Sequence, residues 1–328
     1  MTPILLATII LALAFDFLNG IHDSSNVVAT MISSRAFSPR IALGLTAVAE
    51  FSGPLIFGVA VANTIGNEIV HPSTISTGVI LASLTSAILW DLLTWFLGFP
   101  SSSSHALVGG ILGAVIMGAG WKAIELAGLE KVLIALFTSP LIGFVVGFVL
   151  LKLVLALSWS ASPRINTFFK RAQMLTGLAL ALSHGTNDSQ KTMGIITLAL
   201  VTGGVLDTFA VPLWVILLCA SMIALGTTVG GWRLIRTLGG KIFKIRPVDG
   251  FTAQLASASV IIAASLVGGP VSTTQVVSSA IMGTGTAERA NKVRWGVAQE
   301  MAVAWLLTIP ASALMAAGLF LLLTRILP

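Results

Sequence analysis

The chain has 328 residues, of which 56% are hydrophobic and only 9% charged, and its mean hydropathy is +0.99. An ordinary soluble domain carries roughly a quarter charged residues, so these figures exclude one and describe a polytopic membrane protein. The net charge of +6 and pI near 10 would suit nucleic acid, but the basic residues stand in short loops between apolar stretches, where they orient a membrane protein instead, and no nucleic-acid partner is expected.

Stretches long enough, or nearly so, to cross hydrocarbon as helices, about 20 residues each, are predicted around residues 1–32, 41–62, 74–99, 106–121, 131–158, 172–202, 209–230, 251–269, 276–287 and 296–324. The first lacks a basic n-region and a small-residue cleavage site, so it reads as mature protein, and it ends in Asn19-Gly20-Ile21-His22-Asp23-Ser24-Ser25-Asn26. The third runs into Pro100-Ser101-Ser102-Ser103-Ser104-His105. After the fifth comes a Ser-, Pro- and Arg-bearing stretch, Ser158 to Gln173, that marks a boundary. The sixth carries Ser183-His184-Gly185-Thr186-Asn187-Asp188-Ser189-Gln190-Lys191, and residues 231–250 read as a basic loop with a short amphipathic helix. The eighth leads into Pro270-Val271-Ser272-Thr273-Thr274-Gln275. The single cysteine, Cys219, makes no intrachain disulfide.

The chain therefore says one thing twice. Asp23 and Asp188 are 165 residues apart, and both Pro100–Pro270 and Pro140–Pro310 are separated by 170. Lys and Arg cluster at Arg35 and Arg40, at Arg164, Lys170 and Arg171, across 233–246, and at Arg289, Lys292 and Arg294. By the positive-inside rule these loops are cytoplasmic, whereas the loops with Glu68, with Glu125 and Glu130, and with Asp207 lie outside. The Arg35 loop of one half corresponds to the Asp207 loop of the other, so the halves have opposite orientation. The expected fold is all-α: an inverted-topology repeat of two helical halves, with broken or re-entrant helices around a midplane site. Residues 1–157 form the first repeat, 158–173 a cytoplasmic linker, and 174–328 the second, inverted repeat.

Each Asp element places glycine beside a dense set of oxygen ligands within an apolar segment. Glycine permits unwound backbone; freed carbonyls, with Asp23, Asn26, Asn187 and Asp188, would suit Na+ or a proton relay. Helix N-caps use the same residue types, but two copies in inverted halves favour a shared site. Ser102, Ser103 and Ser104, with Ser272, Thr273 and Thr274, each begin a helix after a proline that cannot continue the preceding one. Free N–H groups, the positive end of the helix dipole and hydroxyl donors together make an anion cradle. Neither run contains Arg or Lys, so neutral donors are expected to hold an anion that must also be released.

These four motifs, in this order and spacing, resemble the duplicated signatures of the inorganic phosphate transporter (PiT) family over nearly the whole chain. The resemblance implies a secondary active transporter, not an enzyme, importing inorganic phosphate across the cell membrane by symport with H+ or Na+. It implies phosphate at Ser102, Ser103, Ser104, Ser272, Thr273, Thr274, Asp23 and Asp188. Cation binding or coupling would fall to Asp23, Asn26, Asn187, Asp188 and His22, with Na+ at the first four of these. His22 stands where many members have Asn, and it titrates near neutrality; Gln275 stands where the family usually has His. Partners are the bilayer and phosphate, free or as a metal–phosphate complex; oligomers are left open, and no cofactor beyond the coupling ion is implied. The family also includes sulfate permeases. A membrane-embedded lipid pyrophosphate phosphatase would use a serine-rich pocket too, but it needs a charge clamp on the transferring group, and no Arg accompanies Ser104-His105.

Ionisable residues inside a membrane are functional candidates by default, which singles out Asp16, Glu50, Asp91, Lys191 and Glu300; a buried pair of Lys191 with a carboxylate is the simpler expectation. His71 and His184 read as loop or supporting residues. Trp95, Trp121, Trp232 and Trp295, near segment ends, suit the interfacial belt.

Overall fold

The computed structural model describes residues 2–71, 75–99 and 101–326; Pro100, which leads the first hydroxyl run, lies outside them. Two sets of six helices follow one another in the same order. The first set is α1 (Pro3–Ser33), α2 (Pro39–Phe57), α3 (Ala60–Asn63), α4 (Thr77–Leu97), α5 (Ser103–Ala119) and α6 (Leu126–Leu157). The second is α7 (Ile165–Thr202), α8 (Leu213–Val229), α9 (Trp232–Arg236), α10 (Pro247–Leu266), α11 (Thr273–Glu288) and α12 (Trp295–Ile326). Short α3 and α9 each pass into a π-helical turn, Thr64–Glu68 and Thr237–Lys241.

Local chemistry sets the ends. Pro3, Pro39 and Pro247 occupy first-turn positions of α1, α2 and α10, where the missing N–H would have had no intrahelical partner. The Ser76 hydroxyl caps α4 at Val79 N, and Gly98, at φ +76°, ends that helix in the left-handed conformation that costs glycine little. Among the described residues six helices are long and apolar enough to span a membrane, and the bent pair α8–α9 with its π turn makes a seventh.

The helix α4, the segment after it and α5 form a re-entrant hairpin. Its two ends are pinned together: Val70 and Ile124 form an antiparallel bridge, and Glu125 N donates to Ile69 O at 2.9 Å. The pair α10–α11 repeats this, with Arg294 N donating to Ile242 O at 3.0 Å. A hairpin that returns to its starting side contributes no crossing. With the arms α4 and α10 set aside, α1, α2 and α6 are left to cross in the first half, and α8–α9, α12 and the 38-residue α7 in the second; three crossings in each half make the second half run inverted to the first. The halves interlock: α5 packs on α12, α11 on α6, α1 on α8 and α7 on α2.

Four expectations change. Helices α1 and α7 run unbroken through both Asp elements, so no backbone is unwound there. The glycines serve close packing instead: a Cβ on Gly20 would stand 2.3 Å from Ile223 O, and one on Gly185 2.3 Å from Glu50 O. The stretches 106–121 and 276–287 are not spans but the second arms of the hairpins, and α7 starts at Ile165, inside the stretch read as linker. The 231–250 loop is in part the bent end of a span, with Leu234, Ile235 and Leu238 buried.

Topology is testable because the native Cys219 is buried. Single cysteines at the exposed positions Arg40, Arg171 and Lys241 are expected to react with an impermeant maleimide from one face of sealed vesicles, and those at the exposed Asn67 and Asp207 from the other. Labelling of positions 67 and 241 from one face would contradict the inversion.

Candidate substrate and cation site

The two hairpin tips meet at the centre of the molecule, between α1 and α7. The Ser102 hydroxyl caps α5 by accepting from His105 N at 3.1 Å, and Ser272 caps α11 by accepting from Gln275 N at 3.4 Å. Capping fixes both helix N-termini, which turns the next two hydroxyls of each run toward α1 and α7. Ser103 Oγ donates to Asn19 Oδ1 at 2.6 Å and approaches Asp23 Oδ2 at 3.3 Å. Thr274 Oγ1 donates to Asp23 Oδ1 at 3.0 Å, and Thr273 Oγ1 donates to Asp188 Oδ2 at 2.8 Å while lying 3.5 Å from Asp23 Oδ2. Ser104 Oγ donates to Val271 O at 3.1 Å, joining one tip to the other.

The contacts obey the repeat. Asn26 on α1 donates through Nδ2 to Thr274 Oγ1 at 2.9 Å, and Lys191, its counterpart on α7, donates to Ser104 Oγ at 2.5 Å and to Val271 O at 2.8 Å. Lys191 Nζ also pairs with Asp188 Oδ1. His184 is the counterpart of Asn19; its Nε2 lies 3.0 Å from Asp188 Oδ2 and 4.0 Å from Asp23 Oδ2, and its Nδ1 lies 2.8 Å from Glu50 Oε1. Glu50 in turn accepts from Thr227 Oγ1 at 2.5 Å. A chain of ionisable groups, Glu50–His184–Asp188–Lys191, therefore runs behind the hydroxyls. Asp23, Asp188, Ser103, Thr273 and Lys191 are at most 3% exposed, so the cluster is sealed from bulk water.

Ligand atoms of Asp23, His184 and Asp188 lie within 4.8 Å of one another, an arrangement able to hold a cation. Asn26 keeps a buried Oδ1 without a partner beside this group, consistent with a place near a cation. Asn187 is different. Its Nδ2 donates to Ser265 Oγ at 2.8 Å and Gly269 O at 3.2 Å, and its Oδ1 accepts from Val271 N at 3.2 Å. The amide thus ties α7 to the second hairpin, while its Oδ1, with a single accepted bond, keeps one lone pair. Ser102 and Ser272 are likewise engaged as caps.

Sequence reasoning missed His184, read as a supporting residue, and expected an anion cradle of neutral donors, whereas the Lys191 ammonium reaches Ser104. Both differ from their repeat counterparts Asn19 and Asn26, and that break in symmetry was the available signal. His71 lies at the surface beside Glu125, Glu300 is exposed on α12, and Asp16 is buried, accepting from Thr192 Oγ1 at 3.0 Å. Gln275 Nε2 stands 3.4 Å from both ring nitrogens of its counterpart His105, so the two meet across the repeat.

The sequence profile of the Phosphate transporter family matches residues 19–316. A Bacillus subtilis protein described as "Probable low-affinity inorganic phosphate transporter" is 47% identical over 97% of this chain and 96% of its own length. A Rhizobium meliloti protein of the same description is 44% identical over 96% of this chain and 95% of its own. Among solved structures, one described as "The sodium-dependent phosphate transporter" superposes with a TM-score of 0.92 at 26% identity, covering 99% of this chain and 100% of that one.

Proposed function

The chain belongs to the phosphate transporter family, and on that footing we propose that it imports inorganic phosphate across the plasma membrane by symport with a cation, H+ or Na+, through alternating movement of the two hairpins. One observation carries the reading: hydroxyls from the N-termini of α5 (Ser103) and α11 (Thr273 and Thr274) converge on the buried carboxylates of Asp23 and Asp188. Those hydroxyls are the donors a phosphate needs, and here they are occupied by Asp23 and Asp188. Phosphate can take them over only if the carboxylates are neutralised by something else. Two like charges about 4 Å apart near a protein surface repel by ~4 kcal/mol, and the ammonium of Lys191 offsets only one. A cation drawn to Asp23, His184 and Asp188 removes the remaining repulsion and frees Ser103, Thr273 and Thr274 for phosphate, so cation and anion bind together or poorly.

Proteoliposomes loaded with this protein are expected to accumulate radiolabelled phosphate under an inward gradient of Na+ or of H+, imposed separately. Equal uptake with and without either gradient would contradict symport. Ser103→Ala and Thr273→Ala each delete one donor to a charged acceptor, worth about 1.5 to 3 kcal/mol. Each is expected to weaken phosphate binding roughly 10- to 100-fold without loss of folding, as read by calorimetric titration.

The carboxylates also provide a means to tell phosphate from sulfate. Near neutral pH phosphate retains a proton and can donate to Asp23 or Asp188, whereas sulfate has none and would meet a carboxylate oxygen without a hydrogen bond. Sulfate is therefore expected to compete poorly, and Asp23→Asn is expected to narrow the preference while lowering transport. Equal competition by sulfate in the unmutated protein would overturn this account of selectivity.

A further inference from the structure

His22 and Asp91 stay with the central cluster: His22 Nδ1 lies 2.9 Å from Asp23 Oδ1, and Asp91 faces His22 across a cavity of about 60 Å3. A separate group of charges gathers where the second hairpin starts and ends. Lys152 on α6, Arg246 at the start of α10, and Arg289 and Lys292 after α11 line a groove of about 630 Å3, together with Leu155 and Glu288. Small-molecule sites occupy roughly 300 to 1,000 Å3. The acids within reach are taken. Glu288 pairs with Arg246 and Lys292, and the buried Asp249 lies 3.2 Å from Arg246 Nη2 and 3.4 Å from Lys292 Nζ. Lys152 and Arg289 are exposed and have no acidic partner or hydrogen bond among the described residues; Lys152 Nζ stands 5.8 Å from the centre of the Phe148 ring. The groove therefore carries a surplus of positive charge that nothing in the chain offsets.

The repeat shows that a hairpin can close without this cluster. At the matching offset of 170, the other half has Leu322, Ser76, Gly118, Ala119 and Lys122 in place of Lys152, Arg246, Glu288, Arg289 and Lys292. One charge of the five is kept, so the rest serve something other than the fold.

Depth identifies the partner. Lys152 is the only charged residue of α6 after Lys131 and stands five residues before the helix ends at Leu157, about 7.5 Å at 1.5 Å per residue. Val149 and Leu153 around it, and Leu157 beyond, are exposed apolar side chains, which in a membrane protein of this kind face hydrocarbon. A lysine so placed runs its stem along the hydrocarbon and holds its ammonium at headgroup level. A negative group that meets it must sit at that level too, where a lipid phosphate lies and a soluble anion does not. By the positive-inside rule this face is cytoplasmic, and the cytoplasmic leaflet is the one rich in anionic lipid.

We infer that this groove binds the headgroup of an anionic phospholipid, with Lys152 and Arg289 meeting its phosphate, and that the bound lipid ties α6 to the base of the second hairpin. The guanidinium of Arg289 suits a phosphate because it can donate two parallel N–H bonds. The site is independent of which cation drives transport.

The probe is phosphatidylglycerol, added to the purified protein in detergent, with phosphatidylcholine as the neutral comparison. Thermal melting and the fraction of protein retaining one lipid in native mass spectra are the readouts. Phosphatidylglycerol is expected to raise the melting temperature and to stay bound, and phosphatidylcholine to do neither. Each basic residue beside an anionic leaflet contributes about fivefold in affinity, so Lys152→Gln combined with Arg289→Gln should weaken phosphatidylglycerol binding roughly tenfold or more. Lipid-free melting should not change, because neither side chain has an ionic partner to lose. Lys152→Arg combined with Arg289→Lys keeps both charges and is expected to retain the lipid. Arg171→Gln combined with Lys241→Gln removes the same charge from the same face outside the groove and is expected to leave lipid binding as it was. Equal loss in the two neutralised variants would reduce the effect to diffuse surface charge and overturn the inference, as would equal stabilisation by phosphatidylcholine. Inorganic phosphate gives the last arm: the melting shift it causes should survive the Gln pair. A phosphate shift lost in that pair would assign the groove to a soluble anion and overturn the lipid site.

Discussion

Asp188→Asn is expected to abolish phosphate accumulation and to destabilise the protein, and a second substitution is expected to restore only the stability. Asp188 is 1% exposed and is the partner of the Lys191 ammonium, of His184 Nε2 at 3.0 Å and of Thr273 Oγ1 at 2.8 Å. Removing one member of a buried ion pair strands the other charge, which typically costs about 3 to 5 kcal/mol. Replacing Lys191 by Met in the same chain removes the stranded charge, and most of that cost should return. Transport should not return, since two charge-assisted contacts worth about 1.5 to 3 kcal/mol each are gone from the site, a loss of roughly 100-fold or more. Thermal melting in detergent and proteoliposome uptake, measured on both single variants and the double variant, separate the two effects. A double variant that transports like the unmutated protein would show the Asp188–Lys191 pair to be a structural strut.

The second large effect is steric. Gly185→Ala places a methyl group 2.3 Å from Glu50 O and 2.6 Å from Glu50 Cα, and both are backbone atoms of α2 that cannot turn aside. Overpacking of this kind costs about 1 to 3 kcal/mol. It also pushes Glu50 away from His184, so uptake should fall along with melting temperature. Gly20→Ala, which meets Ile223 O at 2.3 Å, is expected to behave similarly on the other side of the repeat. Gly44→Ala is the control: it lies at an exposed position of α2 with nothing within 4 Å of the added carbon, and replacing a helical glycine there should leave stability unchanged or raise it by up to ~1 kcal/mol. Melting of Gly185→Ala at the unmutated temperature would contradict the close α2–α7 contact.

The same glycines show where the sequence could and could not be read. The repeat offsets brought Asp23, Asp188 and both hydroxyl runs into one site, because a polar element duplicated inside apolar segments has few places to go other than a shared interior. A glycine beside an aspartate, however, permits both an unwound backbone and a close helix crossing, and periodicity does not distinguish them; only the position of Ile223 O and Glu50 O against α1 and α7 does. His184 and Lys191 were harder still. Each replaces an asparagine of the other half, so the duplication that exposed the motifs gave them no matching partner. Their pairing with Asp188, from i−4 and i+3 on one face of α7, was hidden by the expectation of unwound backbone there. The reach of Lys191 to Ser104 and of His184 to Glu50 comes from packing between helices that a lone sequence does not carry. Asn187 shows another case: its residue type suits a cation, and its amide also holds Ser265, Gly269 and Val271 of the second hairpin, a tie that residue type alone does not reveal.

The central claim is that the carboxylate pair makes phosphate and cation bind together. Phosphate affinity of the purified protein, measured by calorimetric titration over a range of Na+ concentrations and then over a range of pH, tests it directly. One of the two series should raise phosphate affinity at least tenfold, and phosphate should raise the affinity for that same cation by the same factor, as linkage requires. Phosphate affinity that stays constant across both series would contradict the account.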